Sequence, residues 1–205
     1  MWQFDDDVAN RFQAEAENNI PDYNRVINLC IDVANKEFTH DSKVVDVGSA
    51  LGNTLNEFIK AGYTNVIGVE SSTNMIAKSL HKDKVLLSDK FPNIAADIVL
   101  ANWTLHFVNE REEYIRSVYK NLNDNGVFIL TDKTTQSESI KELYYDFKRS
   151  NGVTEEYIAS KEIQLEGVLV TYPAWWYFDM LQLAGFKDVQ ILNSKYGFVT
   201  YYCKK

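Results

Sequence analysis

The densest run of chemistry-bearing residues is Val45-Asp46-Val47-Gly48-Ser49-Ala50-Leu51-Gly52, an apolar stretch ending in Asp-x-Gly. Glycine lets a backbone approach a ligand closely, and a helix beginning just after such a loop offers free N–H donors to polar acceptors. Gly48, Ser49, Ala50 and Gly52, with Asp46 before them, are therefore candidate ligand contacts. Glu70, followed by Ser71, closes a second apolar run. A carboxylate there can accept both hydroxyls of an adenosine ribose. Asp89, next to Lys90, follows a third run and is placed to hold an adenine amino group. Asn102 ends a fourth, inside Ala101-Asn102-Trp103-Thr104-Leu105-His106-Phe107. Singly, these residues have plainer readings: a tight turn, an exposed acid, a turn former, a cap. Four polar residues ending four apolar runs form a constellation, and that favours a ligand.

Phosphate-binding dinucleotide loops carry G-x-G-x-x-G, with glycines that admit the pyrophosphate. Here Gly48 and Gly52 stand at G-x-x-x-G, with Ala50 between them and no third glycine in phase. That spacing suits an adenosine ligand without phosphates, of which S-adenosylmethionine is one, better than it suits NAD. His106, just past the fourth run, is a candidate general base at neutral pH. His40, His81 and His106 have no metal-ligand spacing, so no metal is expected. Trp175-Trp176-Tyr177-Phe178 either lines an apolar pocket or belongs to the core, with core the default. Asp132-Lys133 either faces the site or forms a pair.

The elements that must position these residues follow from periodicity. Residues 8–20 and 21–36 read as helices, the second opening at Pro21. The short apolar run at 43–48 reads as a buried parallel strand, and those at 65–70, 85–87, 97–101 and 127–131 as the strands that alternate with helices after it. Helical spacing fills the gaps, around Leu55 to Ile59, over 73–81 and over 109–122. Asn123-Asp124-Asn125-Gly126 is a turn signal. Helices are expected at 137–151, 154–162 and 173–184, and strands at 189–192 and 198–202. The loop 193–197 between the last two makes the final strand antiparallel. The expectation is one α/β domain: a mostly parallel seven-stranded sheet with one antiparallel strand and helices on both faces.

Composition narrows the partners. The chain of 205 residues carries a formal net charge of −8, with lysine and arginine scattered. A nucleic-acid binder needs a basic stripe to neutralise phosphates, so direct nucleic-acid binding is not expected. Cys30 and Cys203 stand alone, as reduced core cysteines do in the cytoplasm. The acidic start, Asp5-Asp6-Asp7, is unlike a signal peptide, and no run is long enough to span a membrane.

Asp46-x-Gly48-x-x-x-Gly52, the Glu70 strand end and Asn102-x-Thr104-Leu105 resemble a class I methyltransferase fold of the Rossmann-like type. Within that superfamily the chain is most similar to bacterial carboxy-S-adenosylmethionine synthases, which serve wobble-uridine modification in tRNA. The likeness runs nearly end to end, through Phe4-Asp5, Pro21-x-Tyr23-Asn24, Asn102-x-Thr104-Leu105-x-Phe107, Leu165-Glu166-x-Val168 and Ala184-Gly185-Phe186. Its most specific string is Asp146-Phe147-Lys148-Arg149-x-Asn151-Gly152.

The resemblance implies that the Gly48 loop lines S-adenosylmethionine, S-adenosylhomocysteine or carboxy-S-adenosylmethionine. It implies that Glu70 binds the ribose, Asp89 reaches the adenine, Asn102 sits near the methionine end and Tyr23 closes over the sulfonium. It also suggests a homodimer. One departure stands out: Glu162 occupies the place of the family arginine that pairs with the transferred carboxylate, with Lys161 and Arg149 the nearest substitutes. The first reading is methyl transfer from S-adenosylmethionine to a small acceptor. Carboxy-S-adenosylmethionine synthesis is the alternative, and a non-catalytic S-adenosylmethionine-binding protein a third. An N-terminal helical cap over 1–40 completes the expected layout.

Overall fold

The computed structural model describes residues 5–205, so Trp2 and Phe4 lie outside the described residues. The chain begins with α1 (Asp6–Asn19) and α2 (Tyr23–Glu37). Strands and helices then alternate: β1 (Val44–Val47), α3 (Asn53–Lys60), β2 (Val66–Glu70), α4 (Thr73–Lys78), β3 (Val85–Leu87), β4 (Ala96–Asn102), α5 (Arg111–Asn121) and β5 (Leu122–Lys133). Three helices follow, α6 (Glu138–Ser150), α7 (Glu155–Leu165) and α8 (Ala174–Ala184), before β6 (Asp188–Lys195) and β7 (Phe198–Lys204).

The seven strands form one sheet in the order β3-β2-β1-β4-β5-β7-β6. β7 runs antiparallel to both of its neighbours, and all other pairings are parallel. This is the expected sheet. Side-chain alternation divides its core in two. Val45, Val47, Val99, Ala101, Phe128 and Leu130 face α5 and α8. Val44, Ile98, Leu100, Val127 and Ile129 face α2 and α3 through Val26, Cys30, Leu55 and Phe58. The chain order reverses at β1, which pairs with β2 on one side and β4 on the other. In open α/β sheets that switch point opens a crevice beyond the carboxyl ends of the strands.

Several boundaries differ from the periodicity. The second helix begins at Tyr23 rather than Pro21, because Asp22 takes a left-handed φ of 58°. Its carboxylate is anchored by Lys195 Nζ at 2.8 Å. The helix expected over 73–81 stops at Lys78. The turn signal at 123–126 does not separate helix from strand. It bulges out of β5: Leu122 pairs with Ala96 and Val127 with Ile98, while Asn125 takes φ 63°. The final loop is shorter than expected. Only Tyr196 and Gly197 turn, at φ 49° and 82°, the positive values a two-residue hairpin requires.

Helix starts obey their capping residues. Asp5, Ser72, Ser137 and Thr154 each accept a backbone N–H from the first turn of the helix they precede. No helix among the described residues is long and apolar enough to cross a membrane.

Candidate active site

A cavity of about 1300 Å³ opens over the carboxyl ends of β1, β2, β4 and β5, with α1, α6 and α7 along its far side. Of the eleven residues expected from the sequence, Tyr23, Asp46, Gly48, Ser49, Ala50, Glu70, Ser71, Asp89, Lys90 and Asn102 all line it. Gly52 does not. It lies behind the loop as the residue before α3, at φ 82°, packed against Ser79.

The loop after β1 is held by backbone and carboxylate together. Gly48 N and Ser49 N donate to Val69 O at 2.8 and 3.2 Å. Gly48 has φ +68°, and a Cβ there would meet Thr104 Oγ1 at 2.1 Å, so this position requires glycine. Ala50 N donates to Glu70 Oε2 at 2.9 Å. Ser71 N and Ser72 N donate to Glu70 Oε1, both at 2.8 Å. A carboxylate offers about four acceptor sites; three are used here, and the fourth is on Oε2. The clamp fixes Glu70 on the cavity wall while leaving room for one further donor. Ser49 Oγ is buried without a hydrogen-bond partner among the described residues.

Asp46 is 3% exposed. Burial, and then the Glu70 charge, push its carboxyl well above the usual carboxylate range. Asn102 Oδ1 accepts from Thr131 Oγ1 at 2.8 Å, and its Nδ2 donates to Cys30 Sγ at 3.6 Å. Tyr23 stacks on Trp103 with ring centroids 4.7 Å apart, and its hydroxyl accepts from Asn53 Nδ2 at 3.2 Å. Burial raises that phenol above its ordinary value.

His106 lines the cavity and is 3% exposed. Its Nδ1 lies 2.7 Å from Asp132 Oδ1. Asp132 Oδ2 accepts from Tyr177 OH at 2.9 Å, and that hydroxyl accepts from Arg111 Nη1 at 2.7 Å. Arg111 is fixed in turn by the carbonyls of Leu105 and Val170 at 2.7 and 2.8 Å. The Lys133 backbone N–H donates to the same nitrogen at 3.4 Å, so Nδ1 stands between a carboxylate oxygen and a backbone donor. Asp132 thus forms a pair; Lys133 beside it faces the cavity.

Sequence reasoning missed the Arg111–Tyr177–Asp132 chain, whose members come from α5, α8 and β5. It also missed Lys148 as a cavity residue, although the residue sits in the most specific string of the sequence. The aromatic run at 175–178 does not line this cavity: Tyr177 is core and Trp175 is 65% exposed. Glu162 lies on the wall, taken up by Lys141 Nζ at 2.7 Å and by the Tyr145 hydroxyl. Lys161 pairs with Glu15 at 3.2 Å. Arg149 faces away from the cavity, engaged by Asp146 and Glu155. No group of three or more potential ligands able to hold a metal ion occurs among the described residues.

Comparison with known proteins gives this geometry a family. A carboxy-S-adenosyl-L-methionine synthase of Nautilia profundicola is 28% identical, over 98% of this chain and 93% of that protein. A SAM-dependent methyltransferase from Thermotoga maritima, described as a possible histamine N-methyltransferase, superposes with a TM-score of 0.67. It is 18% identical, and all of both chains is covered. Magnesium protoporphyrin IX methyltransferase of Synechocystis, solved with bound SAH, gives a TM-score of 0.66 at 12% identity, covering 92% of this chain and 86% of that one. The family model for the methyltransferase domain matches residues 16–190. With that match spanning the switch-point loop and the strand-end residues of the cavity, the chain belongs to the methyltransferase domain family.

Proposed function

We propose that this chain transfers the methyl group of S-adenosylmethionine to a small acceptor bound in the same cavity. The observation that carries the reading is the cavity itself. At about 1300 Å³ it exceeds the roughly 300–1,000 Å³ of a pocket for one drug-sized ligand, so it accommodates two molecules.

The residues of β1 to β3 fit an adenosine ligand. The Gly48 loop forms the cavity wall with Ser49 and Ala50, and Glu70 keeps an open acceptor site. Glu70 would hold a ribose hydroxyl, Asp89 and Lys90 would flank the adenine, and Asn102 and Tyr23 would face the sulfonium end. When bound, the sulfonium supplies an activated methyl group. The chain's own contribution is alignment and exclusion of water. α1 supplies Val8, Phe12 and Ala16 to the cavity wall, and the Tyr23–Trp103 stack closes one side. His106, held beside Asp132 on this wall, is a group able to take the acceptor's proton.

A second reading is carboxy-S-adenosylmethionine synthesis, favoured by the near full-length similarity to synthases of that name. Glu162 weighs against it, because an acid at that wall repels a transferred carboxylate. Mass spectrometry of the nucleoside released from the purified protein by denaturation separates the two. S-adenosylmethionine or S-adenosylhomocysteine supports the first reading; carboxy-S-adenosylmethionine replaces it with the second. The proposal includes a cytoplasmic homodimer: the buried, reduced Cys30 and Cys203 suit that compartment, and light scattering checks the dimer.

A further inference from the structure

The acceptor end of the cavity holds two cations that form no ion pair among the described residues. Lys133 ends β5 and Lys148 lies on α6, yet their Nζ atoms converge on one ring, 4.7 and 4.6 Å from the centroid of Tyr144. Lys148 is 7% exposed and Tyr144 5%. Both lysines line the cavity, and among the described residues neither forms an ion pair. Glu162, whose charge both feel, is taken up by Lys141 and Tyr145. Lys161, also on this wall, pairs with Glu15.

Buried charges are ordinarily paired, because an unpaired one loses its hydration without return. Two like charges on one ring add mutual repulsion. A cation–π contact returns only about 0.5–2 kcal/mol. Burial lowers both ammonium groups to about 8, which leaves them mostly protonated at neutral pH. A fold that keeps such a pair inside a ligand cavity has placed it for an anion.

The adenine and ribose end of the adenosine ligand does not supply that anion. That end would lie at β1, β2 and β3, whereas Lys133 ends β5, three strands from β2. At about 4.8 Å per strand that is roughly 14 Å. Between them stands Trp103, which lines the same cavity and whose indole N–H is buried without a hydrogen-bond partner among the described residues.

We propose that Lys133 and Lys148 form the recognition subsite for an anionic group, a carboxylate or phosphate, on the acceptor. The acceptor is then a small acid whose flat apolar body lies against Tyr144, Tyr145 and Trp103. This deepens the transferase reading and rests on it for the place of the cofactor.

The test is titration of the chain, saturated with S-adenosylhomocysteine at pH 7, with benzoate, phenyl phosphate and the neutral benzyl alcohol. The two anions should bind and the alcohol should not, and the preferred anion distinguishes carboxylate from phosphate. Lys133→Met and Lys148→Met should each weaken the anions by about tenfold or more, with S-adenosylhomocysteine affinity unchanged. Each should also raise the melting temperature, since it removes an uncompensated buried charge; Lys148→Arg should keep binding. Anions that fail to bind, or that bind both methionine variants and wild type alike, would overturn the subsite. If the wild type ignores S-adenosylhomocysteine but binds anions through these lysines, the subsite stands and the transferase reading falls.

Discussion

Replacing Gly48 by alanine puts a methyl group where the structure has no space. The new Cβ would sit 2.1 Å from Thr104 Oγ1 and 2.6 Å from its Cγ2. The backbone there is at φ +68°, a region that costs an L side chain about 1–2 kcal/mol. Thr104 cannot simply turn aside. Its hydroxyl bonds to Val47 O and Asn102 O, both at 3.1 Å, and giving up such a bond costs about 0.5–1.5 kcal/mol. Together these place the destabilisation at about 1.5–3.5 kcal/mol, or about 3–14 °C in melting temperature for a chain of this length. Thermal unfolding followed by circular dichroism measures the shift. Calorimetry should show S-adenosylhomocysteine binding weakened by about tenfold or more, because Thr104 and the loop move together. In the double variant with Thr104→Ala the Oγ1 and Cγ2 contacts are gone and only the Cβ contact at 2.9 Å remains, so part of the loss should return as a favourable coupling energy. A Gly48→Ala chain that melts with the wild type and binds S-adenosylhomocysteine equally well would refute the steric reasoning.

Other predictions follow from neighbouring features. Glu70→Gln leaves one acceptor oxygen where three backbone N–H groups now converge, so S-adenosylhomocysteine affinity should fall by about one to two orders of magnitude; isothermal titration measures it. His106→Ala should lower methyl transfer by about 10²–10⁴-fold with cofactor affinity retained; equal loss of both would make His106 a binding residue instead. Tyr177→Phe strands Asp132 and Arg111 from each other and should cost about 1–3 kcal/mol in urea unfolding.

Anion binding should depend on pH. Lys133 and Lys148 are lowered to about 8, chiefly by burial, with Glu162 opposing and Lys141 or Lys161 adding to the shift; Tyr144 and Tyr145 complete the surroundings. An anion favours the charged form, so affinity should hold below pH 8 and fall by up to about tenfold per lysine for each pH unit above it. The unfolded lysines titrate near 10.4. The unfolded chain therefore binds more protons between about pH 8 and 10, and these two groups make stability rise with pH across that window. Titrations with benzoate at pH 7 and pH 9, repeated on Lys148→Met, measure the binding effect.

The sheet was legible because each buried strand is a short β-branched run between turn signals, and the polar residue ending each run marks the crevice. The cavity-lining strand ends followed from that pattern. Gly52 did not, because glycine spacing alone cannot tell a residue that faces a ligand from one that lets a helix start. The bulge at 123–126 reads locally as a turn; only the pairing of Leu122 with Ala96 shows that the strand continues across it. His106 met Asp132, and Lys133 met Lys148, through contacts between distant segments. Their spacing carries no periodic signal, and the convergence on Tyr144 exists only once α6 has packed against the end of β5. Lys161 and Arg149, adjacent to the right place in sequence, are drawn off by Glu15 and by the Asp146–Glu155 pair.

Isothermal titration of the purified chain with S-adenosylhomocysteine, run beside NAD, tests the methyltransferase assignment most directly. One S-adenosylhomocysteine per chain, no heat with NAD, and loss of the signal in Glu70→Ala is the predicted result. A chain that binds NAD and leaves S-adenosylhomocysteine in solution would contradict it.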